Sequence, residues 1–344
     1  MLLGNGKIVA NKALCRRLYK DITDGSLAHA YIIEGSRGSG RHTLAKNIIA
    51  ALACTGDPST LPCGQCKSCI EIFEDKCPDV MTLKKEKDRS GLGIDAVREL
   101  KGSILSVPNN LEVKAYILDD TDTMTVQAQN ALLLTLEEPP KNVYFFIICE
   151  NSRSLLETIR SRAAILRTDR LSNVEISDYL LGATAPKSIS EATRTLKRSA
   201  PHEFDLLLLY ADGSIGRAIE LLSPKEREPI KELRLLADRF ISSLITGGGS
   251  VHPILLFSEF SDKRDKLLLQ LERIKDALRD LILLKKSENV PLKYYVDRDS
   301  ALEISDRLSE KRLFAVIEAA DSATDSLSRN ANVRLTLTEM LSSL

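Results

Sequence analysis

Apolar positions along this chain change their period part-way. Up to about residue 170, short continuous apolar runs alternate with stretches whose apolar residues recur every three or four positions. Beyond that point only the second pattern persists. The runs Ala30-Tyr31-Ile32-Ile33-Glu34, Val80-Met81-Thr82-Leu83, 113–120 and 143–149 predict strands buried on both faces. Between them the spacing predicts helices over 7–24 (Ile8, Ala13, Leu14, Leu18, Ile22), 44–52, 124–136 and 154–160. Residues 91–106 read as a turn and a helix, with Ile94, Val97, Leu100 and Leu105 on one face. Strands alternating with helices predict a parallel α/β sheet with helices on both faces. The later part predicts short helices over 173–181, 188–199 and 203–210, a turn at 211–217 leading into a further helix, and long helices over 225–244, 254–284 and 309–327. In the second long helix Leu267, Leu271, Ile274, Leu278 and Leu281 form a four-three seam, which must meet another helix of this chain or of another subunit. Gly247-Gly248-Gly249-Ser250 predicts a flexible connector.

The first strand runs into Gly35-Ser36-Arg37-Gly38-Ser39-Gly40-Arg41-His42-Thr43. A phosphate-binding loop reads G-x-x-x-x-G-K-[ST], its Lys reaching the β- and γ-phosphates and its hydroxyl holding Mg²⁺. Gly35 and Gly40 stand at that spacing and Gly38 lies between them, but Arg41 replaces the Lys and His42 the hydroxyl, with Thr43 one residue late. A planar guanidinium is a poor substitute for a point charge in a tight cradle, and an imidazole offers Mg²⁺ no hard oxygen. The loop therefore reads as nucleotide-shaped but inert. The strand over 113–120 ends in Asp119-Asp120, where an ATPase places its Mg²⁺-associated acid and the carboxylate that activates water. The second acid is usually Glu, so the pair reads as a degenerate site. The competing reading is a cap for the next helix.

Cys54-x8-Cys63-x2-Cys66-x2-Cys69 can close a tetrahedron around Zn²⁺, with turns at Pro62 and Gly64. Four protein ligands leave no open position, so the predicted zinc is structural; the alternative is four reduced thiols in a loop. Cys77 is a possible spare ligand, and Cys15 falls on the first helix, where it is expected to be buried. At 344 residues the chain calls for two or three domains, and with 43% hydrophobic and 28% charged residues it is expected to be globular. Lys+Arg and Asp+Glu both number 48, so no net field recruits nucleic acid. No apolar run approaches a membrane span, and residues 1–20 carry no cleavable leader pattern, so a cytoplasmic, reducing setting is expected. There, clustered cysteines favour metal over disulfides.

Taken together, these residues resemble the clamp loader subunits of bacterial DNA polymerase III, and within them the delta prime branch more than the gamma/tau ATPases. Besides the loop and the cysteines, the resemblance rests on Leu27-Ala28-His29-Ala30-Tyr31, the stretch 93–100, Gln129-Asn130-Ala131-Leu132-Leu133-Leu134-Thr135-Leu136-Glu137-Glu138-Pro139-Pro140, Ser161-Arg162 and Asn330-Ala331-Asn332-Val333-Arg334-Leu335. It covers nearly the whole chain. It implies an α/β AAA+ module over 1–170 with a zinc-knuckle insertion at 54–69, an all-α lid over 171–222, and an all-α collar over 223–344 that joins five subunits in a ring. It further implies gamma/tau-type and delta partners, a sliding clamp, and primed DNA reached through the complex. Arg41, His42 and Asp120 place the chain with the non-hydrolysing subunits; so do Gly216, where active subunits carry a sensing Arg (here Arg217 is one residue late), and Cys149, where a polar sensor is expected. The resemblance assigns Arg162 as a finger acting in trans on a neighbour's ATP, the bland reading being a structural surface Arg. Ala163 departs from the family's Ser-Arg-Cys. One alternative is an ATP-hydrolysing gamma/tau-like subunit in which Arg41 and Thr43 suffice. Another, a stand-alone nucleic-acid-binding zinc protein, is disfavoured by 5% aromatic content, zero net charge and a cysteine loop without basic or aromatic surroundings.

Overall fold

A computed structural model describes residues 11–84, 92–104, 106–246, 256–287 and 290–344. Strands β1 (Ala30–Glu34), β2 (Val80–Leu83), β3 (Lys114–Leu118), β4 (Val143–Cys149) and β5 (Ala164–Arg167) form one sheet in the order β2-β3-β4-β1-β5. Every pairing is parallel, with Ala30 opposite Phe145 and Tyr31 opposite Ala164. Side chains alternate across a strand, and here both faces are covered. Tyr31, Ile33, Ala115, Ile117, Phe146 and Ile148 pack with Leu18 of α1 (Lys12–Thr23), Leu44 and Ile48 of α2 (Arg41–Leu52) and Ile72 of α3 (Lys67–Phe73). Ala30, Ile32, Tyr116, Leu118, Phe145 and Ile147 pack with Val97 and Leu100 of α4 (Ile94–Ile104), Ala128 and Leu132 of α5 (Val126–Glu137) and Ile159 of α6 (Glu157–Arg160). One stacked aromatic pair lies in each layer, Tyr31–Phe146 at 5.9 Å and Tyr116–Phe145 at 5.6 Å. Each fully buried Ile contributes about 1.5–3 kcal/mol, which is why these strands read as unbroken apolar runs. Layered in this way, with the glycine loop after β1, the sheet is the parallel α/β sheet with helices on both faces that the sequence predicts.

The remaining helices are α7 (Asn173–Leu181), α8 (Lys187–Ser199), α9 (Pro201–Ala211), α10 (Ile215–Glu220), α11 (Pro224–Thr246), α12 (Arg264–Lys286), α13 (Arg298–Arg307), α14 (Glu310–Ser328) and α15 (Val333–Ser342). The chain divides into two compact units. One takes in residues to Ser190 plus Gly213–Arg217; the other takes in Glu191–Asp212 and Ala218–Leu344. In the second, the whole Leu267 to Leu281 seam of α12 is at most 1% exposed and packs on α11, α13 and α14. Its partners are thus within the chain.

Several elements differ from the sequence pattern. The edge strand β5 was not predicted, because four residues with only Leu166 buried carry no apolar run. Helices α3, α13 and α15 were also missed. The helix expected over 154–160 shrinks to Glu157–Arg160, since Ser152–Ser154 forms a 3-10 turn and Leu155 and Leu156 are extended. The helix expected over 254–284 starts at Arg264, after a 3-10 turn at Phe257–Glu259. Residues 7–10, Gly91, Leu105, the connector 247–250 and residues 254–255 lie outside the described residues.

Asp280 on α12 is 0% exposed, and its carboxylate accepts backbone N–H bonds from Lys293 at 2.9 Å and Tyr294 at 2.7 Å. Arg279 pairs with it at 3.1 Å. The turn that carries Tyr294, itself buried and bonded through its hydroxyl to Asp238 at 2.5 Å, is thus held by the Asp280 carboxylate together with Arg234, whose NH1 donates to the Tyr294 carbonyl at 2.7 Å. Asp280→Ala leaves buried donors unpaired and is expected to cost about 3 kcal/mol. Denaturant unfolding should show the loss as a lowered midpoint with an unchanged slope, and Asp280→Asn should lose less.

Candidate functional site

At the end of β1 the N–H of Gly35 donates to the carbonyl of Cys149, at 3.2 Å, and the chain enters the glycine loop. Gly38 (φ +76°) and Gly40 (φ +87°) hold backbone angles that favour glycine. Gly40 is the residue from which α2 starts, three positions earlier than its apolar pattern indicates. The loop is closely covered. A Cβ on Gly35 would lie 1.8 Å from Thr168 Oγ1, and one on Gly38 would lie 2.5 Å from Ser214 Oγ. Ser39 and Thr168 share a hydroxyl bond of 2.7 Å. From the other side Gly216 N–H donates to Gly38 O at 3.0 Å, and Ser214 Oγ donates to Arg37 O at 3.0 Å. Gly216, at the position where a sensing Arg was sought, rests on the loop backbone itself.

His42 occupies the hydroxyl position of the motif, and its Nε2 lies 2.8 Å from Asp119 Oδ1. The side chains are 38% and 16% exposed. Burial raises the Asp119 carboxyl, but the bond to His42, its charge and the Asp120 N–H outweigh that, so Asp119 titrates below its ordinary value. Asp120 is exposed, with a left-handed φ of 49°. Neither acid caps the following helix: α5 is capped by Thr125, whose Oγ accepts from Ala128 N at 3.2 Å. Arg41 is buried at 8% exposure and its charge reaches Cys149, a fully buried thiol that burial pushes up to about 12. Thr43 is exposed.

Arg162 sits in the turn between α6 and β5. Its NH2 pairs with Glu137 Oε1 at 2.7 Å, and its NH1 donates to Thr158 O at 2.9 Å and to Ser161 Oγ at 3.3 Å.

The four cysteines converge between α2 and α3. The sulfurs of Cys54, Cys63, Cys66 and Cys69 all lie within 4.8 Å of one another, with Cys63 and Cys69 at 4.0 Å. Tetrahedral Zn–S bonds of about 2.3 Å require sulfur–sulfur edges of about 3.8 Å, so this donor set fits a metal ion. Backbone N–H groups already point at the sulfurs: Gly56 and Cys63 at Cys54, both at 3.4 Å, and Cys66 at Cys63, at 3.3 Å. Burial works against ionisation of Cys66, yet hydrogen bonds from Cys69 and Thr55 pull its thiol down to about 6. Gly56 admits this approach, since a Cβ there would lie 3.0 Å from Cys63 Sγ. Cys77 and Cys15 are buried and stand outside the group.

The family described as DNA polymerase III, delta subunit matches residues 10–172. The delta′ subunit of DNA polymerase III from Pseudomonas aeruginosa is 30% identical over 241 residues, spanning 68% of this chain and 70% of that protein. The chain belongs to the DNA polymerase III clamp loader subunit family. The gamma subunit of Buchnera aphidicola subsp. Schizaphis graminum is 28% identical over 221 residues, 63% of this chain and 56% of that protein. The match spans 56% of the Bacillus subtilis tau subunit and only 32% of the Escherichia coli tau subunit, so the chain spans between about a third and little more than half of the length of the gamma and tau relatives it matches. Among solved structures, a gamma subunit-related protein of Thermotoga maritima aligns over 95% of this chain and 96% of that one, at 19% identity and a TM-score of 0.45.

In this clamp loader subunit the sequence pointed to His42 and Asp119 separately but not to the bond between them. It also missed Asp122, which accepts from Glu150 N at 2.6 Å, Asn151 N at 3.1 Å and Ser154 Oγ at 3.0 Å and so ties the loop after β3 to the one after β4. Its only signal was a third acid close behind the pair. Because the Asp119 carboxyl is lowered on folding, its stabilisation is complete above the ordinary value of 3.8 and is lost as pH falls through the lower folded value. In His42→Ala the imidazole's bond and charge are lost and less remains to oppose burial than in the parent, so carbon-detected NMR titration should find Asp119 raised above its value in the parent chain. Unfolding at neutral pH should show a cost of about 1 kcal/mol.

Proposed function

We propose that this chain is a non-hydrolysing, delta prime-like subunit of the DNA polymerase III clamp loader, helping to place the sliding clamp on primed DNA during replication in the cytoplasm. The observation that carries the reading is the His42–Asp119 bond of 2.8 Å. A hydrolysing site needs a hydroxyl and an acid free to organise Mg²⁺ between them. Here a nitrogen donor takes the hydroxyl's position and holds the acid directly. Arg41 replaces the phosphate-facing Lys, and Gly216 stands where active subunits carry a sensing Arg. The alternative reading is a gamma/tau-like motor in which Arg41 and Thr43 suffice.

In this reading 1–170 form the AAA+ module, 171–222 the lid and 223–344 the collar of a hetero-pentamer with gamma/tau-type and delta subunits. Arg162 serves in trans, bringing a planar cation to charge developing on the ATP of a neighbour. Cys54, Cys63, Cys66 and Cys69 hold a structural Zn²⁺ that crosslinks the insertion and has no open position for chemistry.

The purified chain is expected to show no ATP turnover alone. Mixed with gamma/tau-type and delta subunits, clamp and primed DNA, the assembly should turn over ATP, and Arg162→Ala should reduce that rate by about threefold or more while assembly persists. Unchanged turnover would rule out the trans role, and turnover by the isolated chain that is lost in Asp119→Asn would make it a motor. Metal analysis should find one zinc per chain. Cys66→Ser should abolish it, expose residues 54–73 to proteolysis and lower the unfolding midpoint, because Leu61 and Ile72 belong to the layer that covers the sheet.

A further inference from the structure

Three stretches that lie far apart in sequence meet at one corner of the first unit. Glu137 is the last residue of α5, which Pro139 and Pro140 prevent from continuing. One position earlier, the carbonyl of Leu136 accepts a hydrogen bond of 3.1 Å from His29 Nε2, and the carbonyl of His29 in turn accepts the N–H of Phe145 in β4 at 2.8 Å. The end of α5 is therefore fixed to the sheet rather than left to fray. From that fixed point Glu137 reaches Arg162 at 2.7 Å.

The guanidinium is held on two sides. Glu137 takes NH2, while Thr158 O and Ser161 Oγ take NH1. An Arg side chain is long, and fixing it costs rotamer freedom. A partly exposed ion pair contributes little to stability; the two side chains here are 34% and 42% exposed. The pair's consequence is thus geometric. It selects one placement of the guanidinium.

We propose that Glu137 is the positioning residue for Arg162, holding the guanidinium in the orientation in which it meets the anionic phosphate chain bound by a neighbouring subunit. The proposal rests on the trans role of Arg162 and adds to it a residue that never touches the nucleotide. His29 supports the same geometry one step further back.

The experiment uses the full assembly of this chain with gamma/tau-type and delta subunits, clamp and primed DNA. Glu137→Ala should lower the ATP turnover number by about threefold to tenfold at unchanged KM for ATP. Glu137→Gln, which keeps an acceptor oxygen, should lose less. In the Arg162→Ala background, Glu137→Ala should cause no further loss. Unfolding midpoints and assembly yield should match the parent in all four variants, which separates positioning from a fold defect. If Arg162→Ala lowers turnover and Glu137→Ala does not, or if the two losses multiply, positioning by Glu137 is wrong while the trans role stands. If Arg162→Ala has no effect, both fall.

Discussion

Strand β1 has no exposed face and no free edge. It lies between β4 and β5, with Ile32 against one helical layer and Ile33 against the other. A strand so enclosed cannot shift register by one residue without turning every buried side chain to the wrong layer. Its end is consequently one of the best-defined points in the molecule, and the glycine loop begins there. The same constraint fixes β4 beside it and β3 beyond, so that Gly35, Cys149 and Asp119 come to one edge of the sheet. The contacts of the loop with Thr168, at the end of β5, and with Ser214 and Gly216 follow from that placement.

The charge arrangement at this edge follows from the same placement. A carboxylate at a buried strand end needs a cation or a set of donors. In a nucleotide-hydrolysing site that need is met by Mg²⁺, which comes and goes with its ligand. In this chain His42 meets it from within α2, and Asp119 keeps a lowered pKa without any ligand. The carboxylate at this edge is thereby paired within the chain. Arg162 follows the opposite logic. Its ion pair with Glu137 is partly exposed and holds the cation where it remains accessible.

What was legible in the sequence follows the strength of each physical signal. Strands enclosed on both sides announce themselves as apolar runs, so β1 to β4 were located within a residue or two. The edge strand β5 has one enclosed side chain, Leu166, and was invisible. Helix α2 starts at Arg41, earlier than its pattern indicates, because its first turn is set by the left-handed Gly40 rather than by apolar contacts. The glycine spacing, the acid pair and the cysteine spacing were all readable, since each chemistry demands particular residue types at fixed intervals. The contacts between them were not. Nothing local in the sequence shows that His42 reaches Asp119 across 77 positions, that Asp122 bridges two loops, or that Glu137 faces Arg162, because those distances are products of sheet order. The α12 seam was readable as a demand for partners, yet its partners α13 and α14 could be identified only once the chain was folded.

Helix α2 joins the two chemical features that the sequence singled out. Its first residues are Arg41 and His42, and its last turn abuts the cysteine cluster, where Cys69 Sγ lies 3.8 Å from Ala50 O. Between these ends Leu44, Ala45, Ile48 and Ile49 are at most 2% exposed, so the helix has no freedom to roll on the sheet. A crosslink at the cysteines therefore acts on the far end of a rigid rod whose near end carries His42. The insertion is short of core of its own: Leu61, Cys69 and Ile72 contribute to the layer under α2 instead of forming a separate cluster. A metal ion bound there would replace the apolar contacts that so small a segment cannot make. By anchoring the C-terminal end of α2, it would also help hold the N-terminal end against Asp119.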